Sequence, residues 1–143
     1  MQDVIIGSDH AGFELKAKIK DYLREKKIFF VDVGCNSPDS ADYPLIAKEV
    51  AECVISARHF CGILICGSGI GICIAANRFR GIRAALCHTT EQVRQAREHL
   101  DANVLCLAGK GDLEIARKIV HIFLNTKFTG EERYKKRIAL LDK

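Results

Sequence analysis

Short apolar runs alternate along the chain with stretches whose apolar residues recur at helical spacing. The runs at 4–6, 28–33, 62–66, 82–87 and 104–108 are too short for helices and largely apolar without alternation. That is the pattern of strands covered on both faces, and it predicts a buried parallel sheet. Between the runs, Leu15, Ile19, Tyr22 and Leu23 fall on one helical face, as do Ala47, Val50, Ala51 and Val54 behind Pro44, a residue suited to a first helical turn. Thr89 followed three residues later by Gln92 has the form of a capping box opening a fourth helix. Asp112 is placed to start a fifth, and a last helix is expected over about 131–141.

Five strands separated by helices long enough for crossovers predict a doubly wound α/β fold, because right-handed connections place helices on both faces of the sheet. At 143 residues and 48% hydrophobic, the chain has apolar material for one core, so residues 1–143 are read as a single domain with a C-terminal helix. Ligands of such sheets bind beyond the carboxyl ends of the strands. That rule selects Ser8, Asp9 and His10, the loop at 36–43, and the segment 66–71.

Composition narrows the partners. A net charge of +4 is a small excess of 22 basic over 18 acidic residues spread through the chain, which fits a small anionic ligand better than nucleic acid. Runs such as 62–66 and 104–108 are far shorter than the roughly 20 residues that span a bilayer, so no membrane segment is expected. Asp3 stands where a secretory signal would carry positive charge, and a cytoplasmic location is expected. Seven cysteines, at 35, 53, 61, 66, 73, 87 and 106, include no CxxC pair. Neither a metal site nor a disulfide framework is expected, and most of these thiols read as small hydrophobes in a reducing compartment.

The segment Cys66-Gly67-Ser68-Gly69-Ile70-Gly71 closes the third strand and opens a helix. Its glycines let backbone N–H groups approach an anion at the positive helix end, and the same partial charge favours the thiolate form of Cys66. The plainer alternative is a buried cysteine before a glycine turn needed only for tight packing. Better-known uses of such loops fail on the letters. Gly67 and Gly69 are followed by Gly71 rather than by a glycine at 72, and they follow the third strand, so the dinucleotide fingerprint is absent. Gly7 and Gly12 have the outer spacing of a P-loop, but Phe13 and Glu14 stand where Lys and Ser or Thr are required. A cysteine phosphatase needs an arginine where Ile72 stands.

Other residues carry two readings each. Asp9 and His10 could hold sugar hydroxyls or phosphate, or act as a helix cap and a solvated first-turn residue. Tyr43 could reach the crevice or simply pack. Arg133 and Arg137, one helical turn apart, could converge on one phosphate with Lys110, or form a solvated face. His99 could be functional or a helix-terminal residue complementing the dipole.

Taken together, Gly7-Ser8-Asp9-His10-Ala11-Gly12, Asp42-Tyr43-Pro44, the 66–71 segment, Ala75-Ala76-Asn77 with Gly81-Ile82-Arg83, and Asn103-Val104-Leu105 resemble the ribose-5-phosphate isomerase B and galactose-6-phosphate isomerase family. The resemblance implies a Rossmann-like fold and a cofactor-free, metal-free aldose-ketose isomerase of a phosphorylated sugar, working as a homodimer or homotetramer. It implies Cys66 as the base and the amides of Gly67, Ser68, Gly69 and Gly71 as stabilisers of the enediolate oxygen. His99 would assist opening of the sugar ring, Asp9 and Tyr43 would contact the sugar, and His10, Arg133 and Arg137 would bind phosphate. Ile72 replaces the glutamate of another branch, placing the chain with the cysteine branch. Leu100 and Lys110 depart from the asparagine and arginine usual at those positions. Ribose 5-phosphate is the expected substrate, beside allose and galactose 6-phosphates. The competing class is a non-catalytic module that binds a phosphorylated ligand through the same loop.

Overall fold

The structure, a computed structural model, describes residues 2–36, 39 and 41–143, so Ser37, Pro38 and Ser40 of the candidate loop at 36–43 lie outside the described residues. The apolar runs assemble into one parallel sheet of β1 (Asp3–Ser8), β2 (Phe30–Asp32), β3 (Phe60–Cys66), β4 (Ala84–Leu86) and β5 (Val104–Ala108), in the order β2-β1-β3-β5-β4. Alternation within the central strands divides the core. Val4, Ile6, Ile63, Ile65, Leu105 and Leu107 face one layer, and Ile5, Leu64, Cys66, Val104 and Cys106 face the other.

The first layer is closed by α1 (Phe13–Glu25), α4 (Thr90–Leu100) and α5 (Leu113–Asn125), the second by α2 (Tyr43–Ser56) and α3 (Ile70–Asn77). A last helix, α6 (Glu132–Leu141), lies against α4. The periodic residues of α1 and α2 are buried as their spacing predicts. Thr89 Oγ1 accepts from the Gln92 amide at 3.1 Å and Asp112 Oδ1 from the Ile115 amide at 3.0 Å, so both expected caps form. Asp9 differs from expectation. It accepts from the Gly12 amide at 3.1 Å and caps a short 3-10 turn, His10–Gly12, while α1 begins behind it.

The outer strands are shorter than their apolar runs. Ile28, Ile82 and Cys87 are buried without extending β2 or β4, because a loop residue folded onto the core is as apolar as a strand residue. Strand register aligns Ser8 with Ile65 and Cys66 with Ala108, which brings the carboxyl ends of β1, β3 and β5 together. The chain leaves β1 toward β2 on one side and returns as β3 on the other, so a crevice opens above the β1–β3 pair.

One wall of that crevice is fixed by a buried ion cluster. Lys16, 1% exposed, places Nζ 2.8 Å from Asp32 Oδ1 and also donates to the Cys35 carbonyl; Lys20 lies 2.7 Å from Asp32 Oδ2. Burial pushes the Asp32 carboxyl up, but hydrogen bonds from Lys16, Lys20 and the Gly34 amide outweigh it and hold the group below the usual carboxylate range. The following loop is stitched to β1, with Ser8 N donating to Gly34 O at 2.7 Å and Cys35 N to Ser8 O at 2.6 Å.

Candidate active site

Three loops meet at the carboxyl edge, and they can do so because two of them lack side chains at the crossing points. A Cβ on Gly12 would lie 2.5 Å from the Ile65 carbonyl oxygen, and one on Gly109 would lie 2.5 Å from that of Ala11. Backbone hydrogen bonds tie the loops: Asp9 N to Ile65 O at 3.2 Å and Gly109 N to Cys66 O at 2.7 Å.

Cys66 is the last residue of β3 and is 5% exposed. Its Sγ accepts from the Gly69 amide at 3.2 Å. That bond exists because Gly69 adopts φ +77° as the N-cap of α3, folding the chain back over the strand end. Ser68 Oγ accepts from the Ile70 amide at 3.2 Å, and Gly71 follows in the first helical turn, where amides lack intrahelical partners. The loop therefore gathers a sulfur and several backbone N–H groups within one turn. Tyr43, the first residue of α2, leans on this turn: a Cβ on Gly71 would lie 2.9 Å from its Cζ and 3.3 Å from its hydroxyl oxygen. Exposed His10 accepts through Nδ1 from the Ala41 amide at 3.3 Å, linking the 3-10 turn to the loop before α2. Lys110 stands exposed in the turn after β5. One chain thus brings Asp9, His10, Tyr43, Cys66, Gly67, Ser68, Gly69, Gly71 and Lys110 to one edge.

His99, Arg133 and Arg137 form a second group. His99, in the last turn of α4, stacks on Tyr134 of α6 with centroids 4.5 Å apart and an interplanar angle of 18°. Arg133 contacts the same ring, its guanidinium carbon 4.6 Å from the Tyr134 centroid and one of its N–H groups donating to the Tyr134 hydroxyl at 2.8 Å. Arg137 is exposed one turn further on. The end of α4 is braced by Arg83 and Arg97, which contact the Asp101 carboxylate at 3.3 Å and 3.1 Å.

This group cannot reach Cys66 of the same chain. The Asn103 carbonyl, just beyond α4, accepts from the Gly62 amide, four residues before Cys66 on β3, a span of about 13 Å along the strand. Helix α4 also packs on the sheet face opposite the Cys66 side chain. Within one chain the two groups therefore stand apart.

Tyr134, Asn77 and Gly109 were not singled out in the sequence for these roles. Tyr134 is buried, and its only sequence signal is an aromatic within a charged amphipathic helix. Asn77 fixes α3 to β4, with Oδ1 accepting from Ala84 N and Nδ2 donating to Ala84 O, both at 2.8 Å. Burial pushes the Cys61 thiol up to about 12 and the Cys87 thiol to about 11, as befits cysteines that serve as small hydrophobes. Among the described residues no cluster of three or more His, Cys, Asp or Glu is placed to share a metal ion. No helix among them is long and apolar enough to cross a membrane.

Comparison with known proteins places this geometry among relatives. The profile of a family described as ribose/galactose isomerase matches residues 4–141. Ribose-5-phosphate isomerase B of Escherichia coli is 40% identical over 142 residues, covering 99% of this chain and 95% of its own. The crystal structure of a ribose 5-phosphate isomerase from Thermotoga maritima superposes with a TM-score of 0.96 at 48% identity, covering 99% of this chain and 97% of that one. Ribose-5-phosphate isomerase B of Mycoplasma genitalium, solved with bound ribulose 5-phosphate, gives a TM-score of 0.92 at 40% identity over 97% of this chain and 93% of that one.

Proposed function

The chain belongs to the ribose/galactose isomerase family and is an aldose-ketose isomerase of a phosphorylated sugar; from that premise we propose that it interconverts ribose 5-phosphate and ribulose 5-phosphate with Cys66 as the base. The observation that carries the reading is the Cys66 sulfur itself, held at the end of β3 with the Gly69 N–H directed at it. A thiolate accepting that bond removes the proton from C2 of the open-chain aldose and returns it to C1, while the O2 hydroxyl proton passes to O1, which leaves a hydroxyl on C1 and the carbonyl at C2. The C–H electrons move into a C1–C2 double bond as the carbonyl oxygen gains negative charge. Amides of Gly67, Ser68 and Gly71 answer that charge, while the Gly69 N–H, expected to join them, is already directed at the sulfur.

Asp9 and Tyr43 line the same edge and would contact the sugar, while His10 and Lys110 flank it on the phosphate side. The other half comes from a second copy of the chain. A two-fold arrangement seats His99 near the partner's Cys66, where its imidazole assists ring opening, and directs Arg133 and Arg137 at the phosphate. Ile70, Ile74 and Leu45, exposed around the crevice, provide an apolar surface for that copy. Leu100, 49% exposed beside His99, offers an apolar surface where family members carry an amide. A cytoplasmic location is part of the proposal, supported by thiols at 53, 61, 66, 73, 87 and 106 that form no disulfide.

Substrate identity is tested by assaying ribose 5-, allose 6- and galactose 6-phosphates for ketose formation. Ribose 5-phosphate is expected to give the highest kcat/KM. Conversion of a hexose phosphate alone would overturn the pentose assignment, and turnover of none would return the chain to a binding module.

A further inference from the structure

Three thiols gather on the sheet face beneath α3, and the proposed reaction uses one of them. Cys106 lies in β5 between Leu64 of β3 and Leu86 of β4, fully buried in the same layer as Cys66. Cys73 projects from α3 onto that layer and is half-buried; its Sγ lies 3.5 Å from the Ala84 carbonyl oxygen and 3.7 Å from Asn77 Nδ2. Asn77 is itself pinned to Ala84 of β4, so Cys73 is held in register with the strand next to Cys106.

Electrostatics makes the two sulfurs unlike. The Cys106 thiol directed at Cys73, the Leu86 amide and the Asn77 amide together outweigh burial and bring the Cys73 thiol down to about 7. The same contact, with burial, pushes the Cys106 thiol well above its ordinary value. A partly buried cysteine whose thiol is brought down, beside a fully buried one whose thiol is pushed up, is the arrangement of an attacking and a resolving cysteine.

We infer that Cys73 and Cys106 are an oxidisable dithiol, which a hydroperoxide converts to a disulfide joining α3 to β5 and lowering isomerase turnover. The Cys73 thiolate attacks the terminal oxygen of the hydroperoxide. The O–O bond breaks, the leaving alkoxide or hydroxide takes a proton from water, and Cys73 becomes a sulfenic acid. The Cys106 sulfur then displaces that hydroxyl, which departs as water with the Cys106 proton. Two thiols are oxidised by two electrons and one peroxide is reduced.

An S–S bond of about 2.05 Å is much shorter than any non-bonded sulfur contact, so its formation draws α3 toward the sheet. The Cys73 amide donates to the Gly69 carbonyl at 3.2 Å, which passes the displacement to the turn holding Cys66. The effect on turnover rests on the proposed role of that turn; the bond does not.

The test treats the reduced full-length protein with hydrogen peroxide at neutral pH, blocks remaining thiols by alkylation, and maps peptides by mass spectrometry. The same mapping in Cys66→Ser removes competition from the third thiol. The expected result is a loss of two hydrogens per chain, a peptide pair linked through Cys73 and Cys106, and reversal by dithiothreitol. Wild-type turnover should fall several-fold and return on reduction, while Cys73→Ser and Cys106→Ser keep their reduced turnover and inactivate several-fold more slowly. Alkylation of both cysteines after peroxide treatment, in wild type and Cys66→Ser alike, would overturn the dithiol. A linked pair with unchanged turnover would overturn the regulatory effect while leaving the isomerase assignment intact.

Discussion

Replacing Gly69 by alanine tests whether the turn over Cys66 is as constrained as its geometry implies. Two costs arise together. At φ +77° an L-residue is disfavoured by about 1–2 kcal/mol relative to glycine. The added Cβ would also lie 2.5 Å from Leu86 Cδ1 and 3.0 Å from the carbonyl carbon and oxygen of Leu107. Leu86 can rotate away, but Leu107 belongs to β5 and pairs with Ile65 of β3, so its backbone cannot retreat without disturbing the sheet centre. Such overpacking costs about 1–3 kcal/mol, for a total of about 2–5 kcal/mol. In a chain of this size that lowers the melting temperature by on the order of 10 °C. The shift also moves the N–H from Cys66 Sγ. Loss of a hydrogen bond to a charged group, about 1.5–3 kcal/mol, predicts roughly a ten- to hundredfold fall in kcat. Gly81→Ala separates the two costs, because φ there is +88° but the nearest atom to an added Cβ is Ile55 Cγ1 at 3.9 Å. Thermal melts followed by circular dichroism and steady-state kinetics decide the matter. Equal melting temperatures for the two variants, or a Gly69→Ala enzyme with wild-type kcat, would refute the reasoning.

Three further outcomes are expected. Arg137→Ala should weaken apparent affinity for ribose 5-phosphate by about 1.5–3 kcal/mol, read as KM, and an unchanged KM would return α6 to a solvated surface. Mixing inactive Cys66→Ala and His99→Ala proteins under subunit exchange should restore turnover, since one site of each two-fold hybrid holds both intact residues; exchange verified by mass spectrometry without recovered activity contradicts the shared site. Asp32 has a depressed folded-state value, so its stabilisation is complete above the ordinary carboxylate pKa near 4 and is lost as pH falls through the folded value. Asp32→Asn, which strands the buried Lys16 charge, should cost about 3–5 kcal/mol at neutral pH and less in acid. Urea unfolding of both proteins across that range would show the gap closing, and a gap independent of pH would contradict the assignment.

What could be read in the sequence was what burial and local backbone demands write into single residues. Leu15, Ile19 and Leu23 declare the covered face of α1, Thr89 and Asp112 declare two helix starts, and the glycines after Cys66 declare a turn at a strand end. Less legible was anything set by tertiary partners. Ile28 and Ile82 read as strand because apolarity reports burial, not pairing. Asp9 caps a 3-10 turn because Gly12 must pack on the Ile65 carbonyl, a constraint between residues far apart in the chain. Tyr134 under His99 and the Lys16–Asp32 pair likewise depend on how distant segments meet. The order of elements already put His99 and Cys66 at opposite ends of the sheet, since α4 ends just before β5 begins while Cys66 closes β3; that they also belong to opposite faces is visible only once the side chains of the strands are divided between the two layers.

The assignment of Cys66 as base is tested most directly by following ribose 5-phosphate conversion in D2O with wild-type and Cys66→Ala enzymes of matched melting temperature and matched binding of a phosphorylated sugar acid. Wild type should form ribulose 5-phosphate and incorporate deuterium at the carbon receiving the shuttled proton, because a thiol exchanges with solvent. The variant should lose turnover and exchange together by about 10²–10⁴-fold, the usual contribution of a positioned general base. Wild-type rates of isomerisation in Cys66→Ala would contradict the account.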